Sequence, residues 1–176
     1  MSPFDTSRRD ALKVLGAGTA LSVLGSGTAA AMGPAGGPVL ESKRMVGNDL
    51  TGSDGSIRGV DAGGFPWVVD DGRAKLYDDG TLKVRVRGLV IDPDVGNDAV
   101  AGRNPVPQFR AIVSCLSPDA GTVENVRTGT FPASESGDAR IEETLEVPDP
   151  CLAPVVLVAG PEEILGADAW FAVNGA

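Results

Sequence analysis

The strongest constraint on this fold is an alternation of apolar and charged residues at 82–87, which reads Leu-Lys-Val-Arg-Val-Arg. Because successive side chains of a strand point to opposite faces, one face of this strand lies on a core and the other meets water. Asp-Asp-Gly triplets lie before it, at 70–72 and 78–80. Asp-Gly supplies the positive φ angles of tight hairpins, so we expect a meander of three strands. We expect the third strand to continue through 89–91 after a kink or bulge at Gly88.

Similar patterns mark further strands, whereas helical periodicity is scarce. The further predicted strands are 109–116, 122–128, 139–147, 154–159 and 169–173. The chain also contains 24 Gly and 13 Pro among its 176 residues, which supplies many turn-forming positions. These features predict an all-β fold, a single antiparallel β-sandwich of about eight strands.

The predicted strand 139–147 has one acidic face. The outward positions of this strand are Arg140, Glu142, Thr144 and Glu146, and Asp138 directly before the strand has the same parity. If this strand neighbours the strand of Lys83, Arg85 and Arg87, we expect cross-strand ion pairs, each contributing about 0.2–1 kcal/mol. Glu143 lies at a position with the same parity as the apolar, inward-facing residues of this strand. It is therefore either a functional acid or a residue at a strand end or bulge that reaches water. Since Glu142 and Glu143 point to opposite faces, they do not form a glycosidase pair.

The N-terminal segment has the features of an export signal. Arg8 and Arg9 precede an apolar, glycine-interrupted stretch that ends in three alanines at 29–31. This pattern resembles a twin-arginine signal, which the twin-arginine export machinery reads as an address, with cleavage after Ala31. The resemblance implies a protein secreted to the cell surface or beyond, without stable membrane insertion after cleavage. Two alternatives stay open, an amphipathic N-terminal helix and an uncleaved signal that acts as a tether.

The sequence divides into three parts. Residues 1–31 form the signal peptide, and 32–56, rich in Gly, Pro, Ser and Asp, are predicted to be a flexible spacer. Residues 57–176 contain no long Pro/Gly-rich break and form the predicted sandwich domain.

The charge composition excludes several classes of function. The chain has 15 Lys and Arg against 24 Asp and Glu, a net charge of −9, and it has no histidine. An acidic chain is poorly suited to bind nucleic acid or an anionic lipid surface. The lack of histidine excludes Ser-His-Asp and Cys-His catalysis and imidazole metal sites. Abundant carboxylates, few lysines and the twin-arginine signal together resemble exported proteins of halophilic archaea, and an actinobacterial source is the alternative.

The only cysteines are Cys115 and Cys151. In an exported domain two cysteines usually pair, so we expect a disulfide between them. The alternative is a reactive cysteine, which would lack both a histidine to activate it and a C-x-x-C motif.

Two further features raise the question of a ligand. The loop 92–98 places four oxygen-bearing side chains close together, those of Asp92, Asp94, Asn97 and Asp98. They either ligate a hard cation such as Ca²⁺ or form Asx turns in a solvated loop. Trp170 and Phe171 are adjacent and therefore face opposite sides of their strand, so we expect at least one of them in the core.

Several segments together resemble a family of small exported proteins of haloarchaea and actinobacteria to which no activity is assigned. The segments that carry the resemblance are 64–69, 79–90, 110–116, 137–141, 148–154 and 170–175. A more distant likeness is to the chordin-repeat domain, through the pattern from Asp79 to Leu89, without that domain's His-containing motif. Neither resemblance implies a catalytic residue.

We therefore expect an exported, non-catalytic protein with a binding or structural role at or outside the cell surface. The sequence assigns it no catalytic residue and no cofactor, since the groups that activate most nucleophiles are missing. The alternative is a small extracellular hydrolase or isomerase that relies on carboxylates alone.

Overall fold

A computed structural model describes residues 36–49, 51–118 and 121–174, without the side chains of residues 52 and 53. The predicted signal with Arg8, Arg9 and Ala31 lies outside the described residues. Within them the chain is all-β, as predicted, with one single-turn helix. The elements are β1 (Pro38–Ser42), β2 (Met45–Gly47), β3 (Gly52–Ile57), β4 (Val60–Ala62), β5 (Trp67–Val68), β6 (Asp71–Tyr77), β7 (Thr81–Arg87), β8 (Val90–Ile91), β9 (Gln108–Leu116), β10 (Val123–Arg127), β11 (Phe131–Pro132), β12 (Ala139–Thr144), β13 (Leu152–Gly160), α1 (Glu162–Leu165) and β14 (Ala169–Asn174).

The strands form two principal sheets. Sheet A has the order β1-β6-β7-β12, and sheet B has the order β10-β9-β13-β14-β4-β3, with β11 also pairing β9 and β2 also pairing β14. Strands β5 and β8 pair separately. Two details differ from the prediction of about eight antiparallel strands: the described residues contain more strands, and β14 pairs with β4 in parallel. The additional strands are mostly two to three residues long, too short to produce a recognisable alternation.

The two sheets share one hydrophobic core. Its buried side chains include Leu76, Leu82, Val84, Val86 and Ile141 from sheet A and Phe109, Val113, Val156, Val158 and Phe171 from sheet B. Trp67 stacks on Phe171 with the ring centroids 3.9 Å apart. A smaller cluster contains Trp170, Ile112 and Leu157 and is lined by residues of β4. Trp170 and Phe171 thus lie in different clusters, and both are buried.

The two Asp-Asp-Gly triplets have different roles. The second forms the predicted hairpin between β6 and β7, where Gly80 has φ 79° and its N–H donates to the Tyr77 carbonyl at 3.1 Å. The prediction of a turn at the first triplet is wrong, because Gly72 lies inside β6 opposite Val86. A Cβ on Gly72 would lie 2.6 Å from Cβ of Met45. Gly72 therefore allows close packing and does not form a turn.

The predicted kink at Gly88 is present, with φ 62°. After it the chain leaves sheet A, and the continuation β8 pairs with β5. The bend therefore ends one sheet instead of bulging a continuous strand.

Part of the segment predicted to be a flexible spacer, 32–56, belongs to the sheets. Strand β1 pairs with β6, β2 pairs with β14, and β3 pairs with β4. Met45 is 3% exposed and belongs to the main core. Single buried side chains between glycines and polar residues give little periodic signal, which is why the sequence pattern missed these strands.

Candidate functional site

The outward side of sheet A carries a group of charged side chains that are candidates for a binding site. On β6, β7 and β12 the inward residues, except Glu143, are apolar and buried, and the outward ones are mostly charged. Arg73 lies directly opposite Arg85, and Arg85 lies directly opposite Arg140. We call these three residues the arginine row. Since neighbouring strands lie about 4.8 Å apart, the row places three guanidinium-bearing side chains side by side across the sheet.

The neighbouring row on the same side is balanced in charge. Nζ of Lys75 lies 3.0 Å from Oε1 of Glu41, and Nζ of Lys83 lies 2.8 Å from Oε1 of Glu142. The hydrogen bond from Lys75 lowers the pKa of Glu41, and hydrogen bonds from Lys83 and then Arg140 lower the pKa of Glu142. The Lys83–Glu142 pair confirms the predicted contact between the basic face of β7 and the acidic face of β12.

The remaining predicted pairs on this side do not form. Arg140 faces Arg85, and Asp138 accepts the N–H of Gly88 at 3.1 Å. At the ends of the row, Arg73 lies 3.4 Å from Asp71 and Arg140 lies 3.2 Å from Glu142. Thr144 shares a hydrogen bond with Thr81, and Glu146 lies beyond the end of β12.

Arg85, at the centre of the row, has no ion pair among the described residues, and neither has Arg87. Like charges directly opposite on a sheet destabilise it by a few tenths of a kcal/mol to about 1 kcal/mol. A chain with 24 Asp and Glu nevertheless places arginine at all three positions. Departures from local stability of this kind are expected at functional sites.

Two open depressions flank the centre of the row. One, of ≈ 520 Å³, is lined by Arg87, Pro132 and one carboxylate, that of Asp138, and the other, of ≈ 370 Å³, is lined by Tyr77. Arg85 and Arg140 line both of them. Guanidinium groups bind carboxylate, sulfate and phosphate through paired hydrogen bonds. This arrangement is therefore suited to hold an anion.

In the predicted cation loop, 92–98, two side-chain oxygens accept hydrogen bonds from the backbone of the loop itself. Oδ1 of Asp92 accepts the N–H of Asp94 at 2.8 Å, and Oδ1 of Asn97 accepts the N–H of Ala99 at 3.2 Å. Asp98 is exposed, like Asp94. Over the described ranges, no three His, Cys, Asp or Glu side chains are grouped so that they could hold a metal ion. The contacts of this loop are those of Asx turns.

The predicted disulfide between Cys115 and Cys151 is present. Cys115 is fully buried in β9, and Cys151 directly precedes β13, the neighbour of β9 in sheet B. The bridge accounts for both cysteines of the chain, so no thiol remains for the reactive-cysteine alternative.

Glu143 lies in regular register opposite Leu82, without a bulge. It is half-buried, and its Oε2 accepts the N–H of Gly129 at 2.9 Å. Its carboxylate thus joins strand β12, at the edge of sheet A, to the chain beside it. Glu142 points to the opposite face and binds Lys83, so the two carboxylates do not converge.

A second group of charged residues, which sequence reasoning missed, lies beside sheet B. Asp168 accepts hydrogen bonds from Arg110 at 3.1 Å, from Arg127, and from the N–H of Glu162 at 3.1 Å. Arg110 also donates to Glu163 at 2.9 Å. We call Arg110, Arg127, Glu163 and Asp168 the Asp168 cluster. Arg110 and Asp168 lie 58 positions apart in the sequence, so no local sequence pattern predicts this cluster.

Burial distinguishes the Asp168 cluster from the arginine row. The side chains of Arg110 and Asp168 are only 9% and 6% exposed. The N–H of Glu163 itself, and then Arg110, lower the pKa of Glu163. A buried carboxylate shared by two arginines is a structural arrangement, in which each charge offsets the other's loss of water.

A larger cleft of ≈ 730 Å³ lies between the segments 43–49 and 66–72. Its charged lining residues are Lys43, Arg44, Asp49, Asp70, Asp71 and Asp92. This mixture gives the cleft no preference for a cation or an anion as clear as that of the arginine row.

Among the described residues no helix is long and apolar enough to cross a membrane. The chain matches no family model, and no curated protein or solved structure matches it either. The arginine row is therefore the feature of the molecule from which we infer its function.

Proposed function

We propose that this chain is an exported, non-catalytic binding protein that captures an anionic ligand on the arginine row. The observation that carries the proposal is the position of Arg85, which has an arginine directly opposite it on each side and no carboxylate paired with it in the described part of the chain. A bound carboxylate, sulfate or phosphate would supply the missing counter-charge through bidentate contacts.

The proposal includes export by the twin-arginine machinery, removal of residues 1–31 and secretion to the cell surface or beyond. Arg8 and Arg9 support it, and so does the disulfide, since such bridges persist in oxidising compartments. The acidic composition suits salt-rich surroundings. Replacing Arg8 and Arg9 by Lys is expected to retain the precursor inside the cell, and normal secretion of that variant would contradict the export assignment.

The contacts of the adjacent carboxylates Glu142 and Glu143 do not favour a carboxylate-dependent hydrolase or isomerase. Glu142 is engaged by Lys83 and Arg140, and Glu143 by the backbone of Gly129. No contact of these residues favours proton transfer to a substrate.

Binding of citrate and pyrophosphate tests the proposed site directly. Titration calorimetry at low salt is expected to show binding to the native protein. Arg85→Gln is expected to weaken it by about tenfold or more, because hydrogen bonds to charged groups are worth about 1.5–3 kcal/mol. Arg103→Gln is the matched control, because Arg103 is exposed, lies away from sheet A and has no ion pair in the described ranges. Equal losses in both variants, or no binding at all, would show that the row is not an anion site.

A further inference from the structure

We infer that the ligand of the arginine row is an extended acidic polysaccharide, with carboxylates on Arg85 and Arg140 and a sugar ring stacked on Tyr77. This inference rests on the proposed function and names its ligand class. It adds a second contact, made by an aromatic side chain, to the charge contact already described.

Tyr77 lies on the outward side of β6 with Arg73 and Lys75 and is half-buried. It lines the same depression as Arg73, Arg85 and Arg140. Tyr77 lies four positions after Arg73 on the same strand, a distance of about 13 Å. A single carboxylate or phosphate group does not span this distance, so a ligand that contacts both ends must be extended.

The shape of the surface favours a chain over a compact anion. The depressions on the two sides of the row share Arg85 and Arg140. A polymer that passes over these two residues would therefore enter both depressions, while its anionic groups stay at the row. A compact anion would use only the centre and leave Tyr77 without a role.

The other end of this surface suits a sugar. Oγ1 of Thr81 and Oγ1 of Thr144 lie 3.2 Å apart at the hairpin end of the sheet, next to Tyr77. Aromatic rings pack against apolar ring faces, and threonine hydroxyls both donate and accept hydrogen bonds. Tyr77 is also the only tyrosine of the chain.

The charge distribution disfavours a nucleic acid. The arginine row is bordered by carboxylates of Glu41, Asp71 and Glu142, and the chain carries a net charge of −9. A strand with a phosphate at every nucleotide would meet these carboxylates as well as the arginines. A polysaccharide with carboxylates on its sugars, bound through a few of them, needs only the local positive charge of the row.

The test compares polygalacturonate, a carboxylated sugar polymer, with polyglutamate, which has carboxylates but no sugar, and with neutral dextran. Calorimetry on the native protein is expected to show the tightest binding to polygalacturonate and none to dextran. Arg85→Gln is expected to weaken polygalacturonate binding by about tenfold or more. Tyr77→Leu is expected to weaken it by about threefold to tenfold and to leave polyglutamate and citrate binding unchanged. Tyr77→Phe keeps the ring and is expected to bind like the native protein.

The outcomes separate the two proposals. Equal affinity for polyglutamate and polygalacturonate, or no effect of Tyr77→Leu, overturns the polysaccharide and leaves the anion site in place. Tighter binding of single-stranded DNA than of polygalacturonate also overturns it, in favour of a nucleic acid. Citrate binding that is insensitive to Arg85→Gln overturns the anion site itself. Unchanged citrate binding by Tyr77→Leu also shows that this variant is folded.

Discussion

The molecule groups arginines in two places and treats them differently. In the Asp168 cluster, Arg110 of β9 and Arg127 of the adjacent β10 share the carboxylate of Asp168. In the arginine row, Arg73, Arg85 and Arg140 lie in register on three neighbouring strands with no carboxylate between them. The fold pairs both arginines of the first group with one carboxylate, whereas in the second the two outer arginines have carboxylate partners and the central one, Arg85, has none among the described residues.

Burial explains why both arrangements persist. Arg110 is 9% exposed, and a charge removed from water must be paired or the fold loses several kcal/mol. Arg85 is exposed, so water and dissolved ions screen its repulsion from Arg73 and Arg140. Arg85 is therefore available to a ligand, whereas Arg110 is committed to the structure.

Asp168→Asn tests the buried group of arginines, and we expect it to have the largest effect on stability. The variant removes the buried charge that Arg110 and Arg127 share and leaves Arg110 with only the exposed carboxylate of Glu163, so we expect a loss of up to about 3–5 kcal/mol in the free energy of unfolding. Urea unfolding measures this loss. Asp61→Asn, at an exposed position on β4, is the control, and we expect little change in it. A loss no larger than that of the control would mean that the Asp168 cluster does not stabilise the fold.

Arg85→Gln sharpens the comparison, because we expect a change of the opposite sign. Removing the central charge relieves repulsion with Arg73 and Arg140, so the free energy of unfolding is expected to rise by about 0.2–1 kcal/mol at low salt. The gain is expected to shrink as salt screens the charges. Urea unfolding at two salt concentrations measures it, with Arg103→Gln as control. If Arg85→Gln instead destabilises the protein, the arginine row stabilises the fold, as the Asp168 cluster does.

The pH dependence of stability gives the smallest expected effect. The pKa of Glu142 is lowered by Lys83 and then by Arg140, so its folded pKa lies below its unfolded pKa. The resulting stabilisation is present above the unfolded pKa and is lost as the pH falls through the folded pKa. The native protein therefore loses this stabilisation as the pH falls below the usual pKa of glutamate. Glu142→Gln lacks the carboxylate, so we expect it to lose less stability over the same pH range. The change is small, because the carboxylate is exposed.

Unfolding midpoints measured from neutral pH downward check this expectation. Glu124→Gln is the matched control, since Glu124 is exposed on β10 and has no ion pair in the described ranges. A pH profile of Glu142→Gln that coincides with that of the native protein would contradict it.

Local alternation predicted several strands of this fold accurately. The pattern at 82–87 matches β7 within one residue, and the parity of the strand that follows Asp138 placed Glu142 beside Lys83. The cysteine count, with the expectation of export, predicted the disulfide. These features depend on neighbouring residues or on a single possible pairing, so the sequence contains them directly.

The rest depends on contacts between distant segments. An Asp-Gly pair has the same local composition whether it turns, as at Gly80, or packs, as at Gly72 against Met45. The arginine row requires the registers of β6, β7 and β12 together, and Arg140 lies in a segment whose acidic residues suggested ion pairs instead. Sequence reasoning therefore found the strands and missed the site that they assemble.

The position of β14 has a consequence for how the chain reaches its fold. This strand pairs with β13, β2 and β4, and the hydrogen bond from Asn48 to Trp170 spans 122 residues. During synthesis, β2 and β4 therefore emerge long before their partner exists and remain incomplete until β14 is made. Contacts at such separation slow folding, because the intervening loop must close before they form. Unpaired strands are prone to aggregation, so the early strands are exposed to this risk until the last strand of the chain is made.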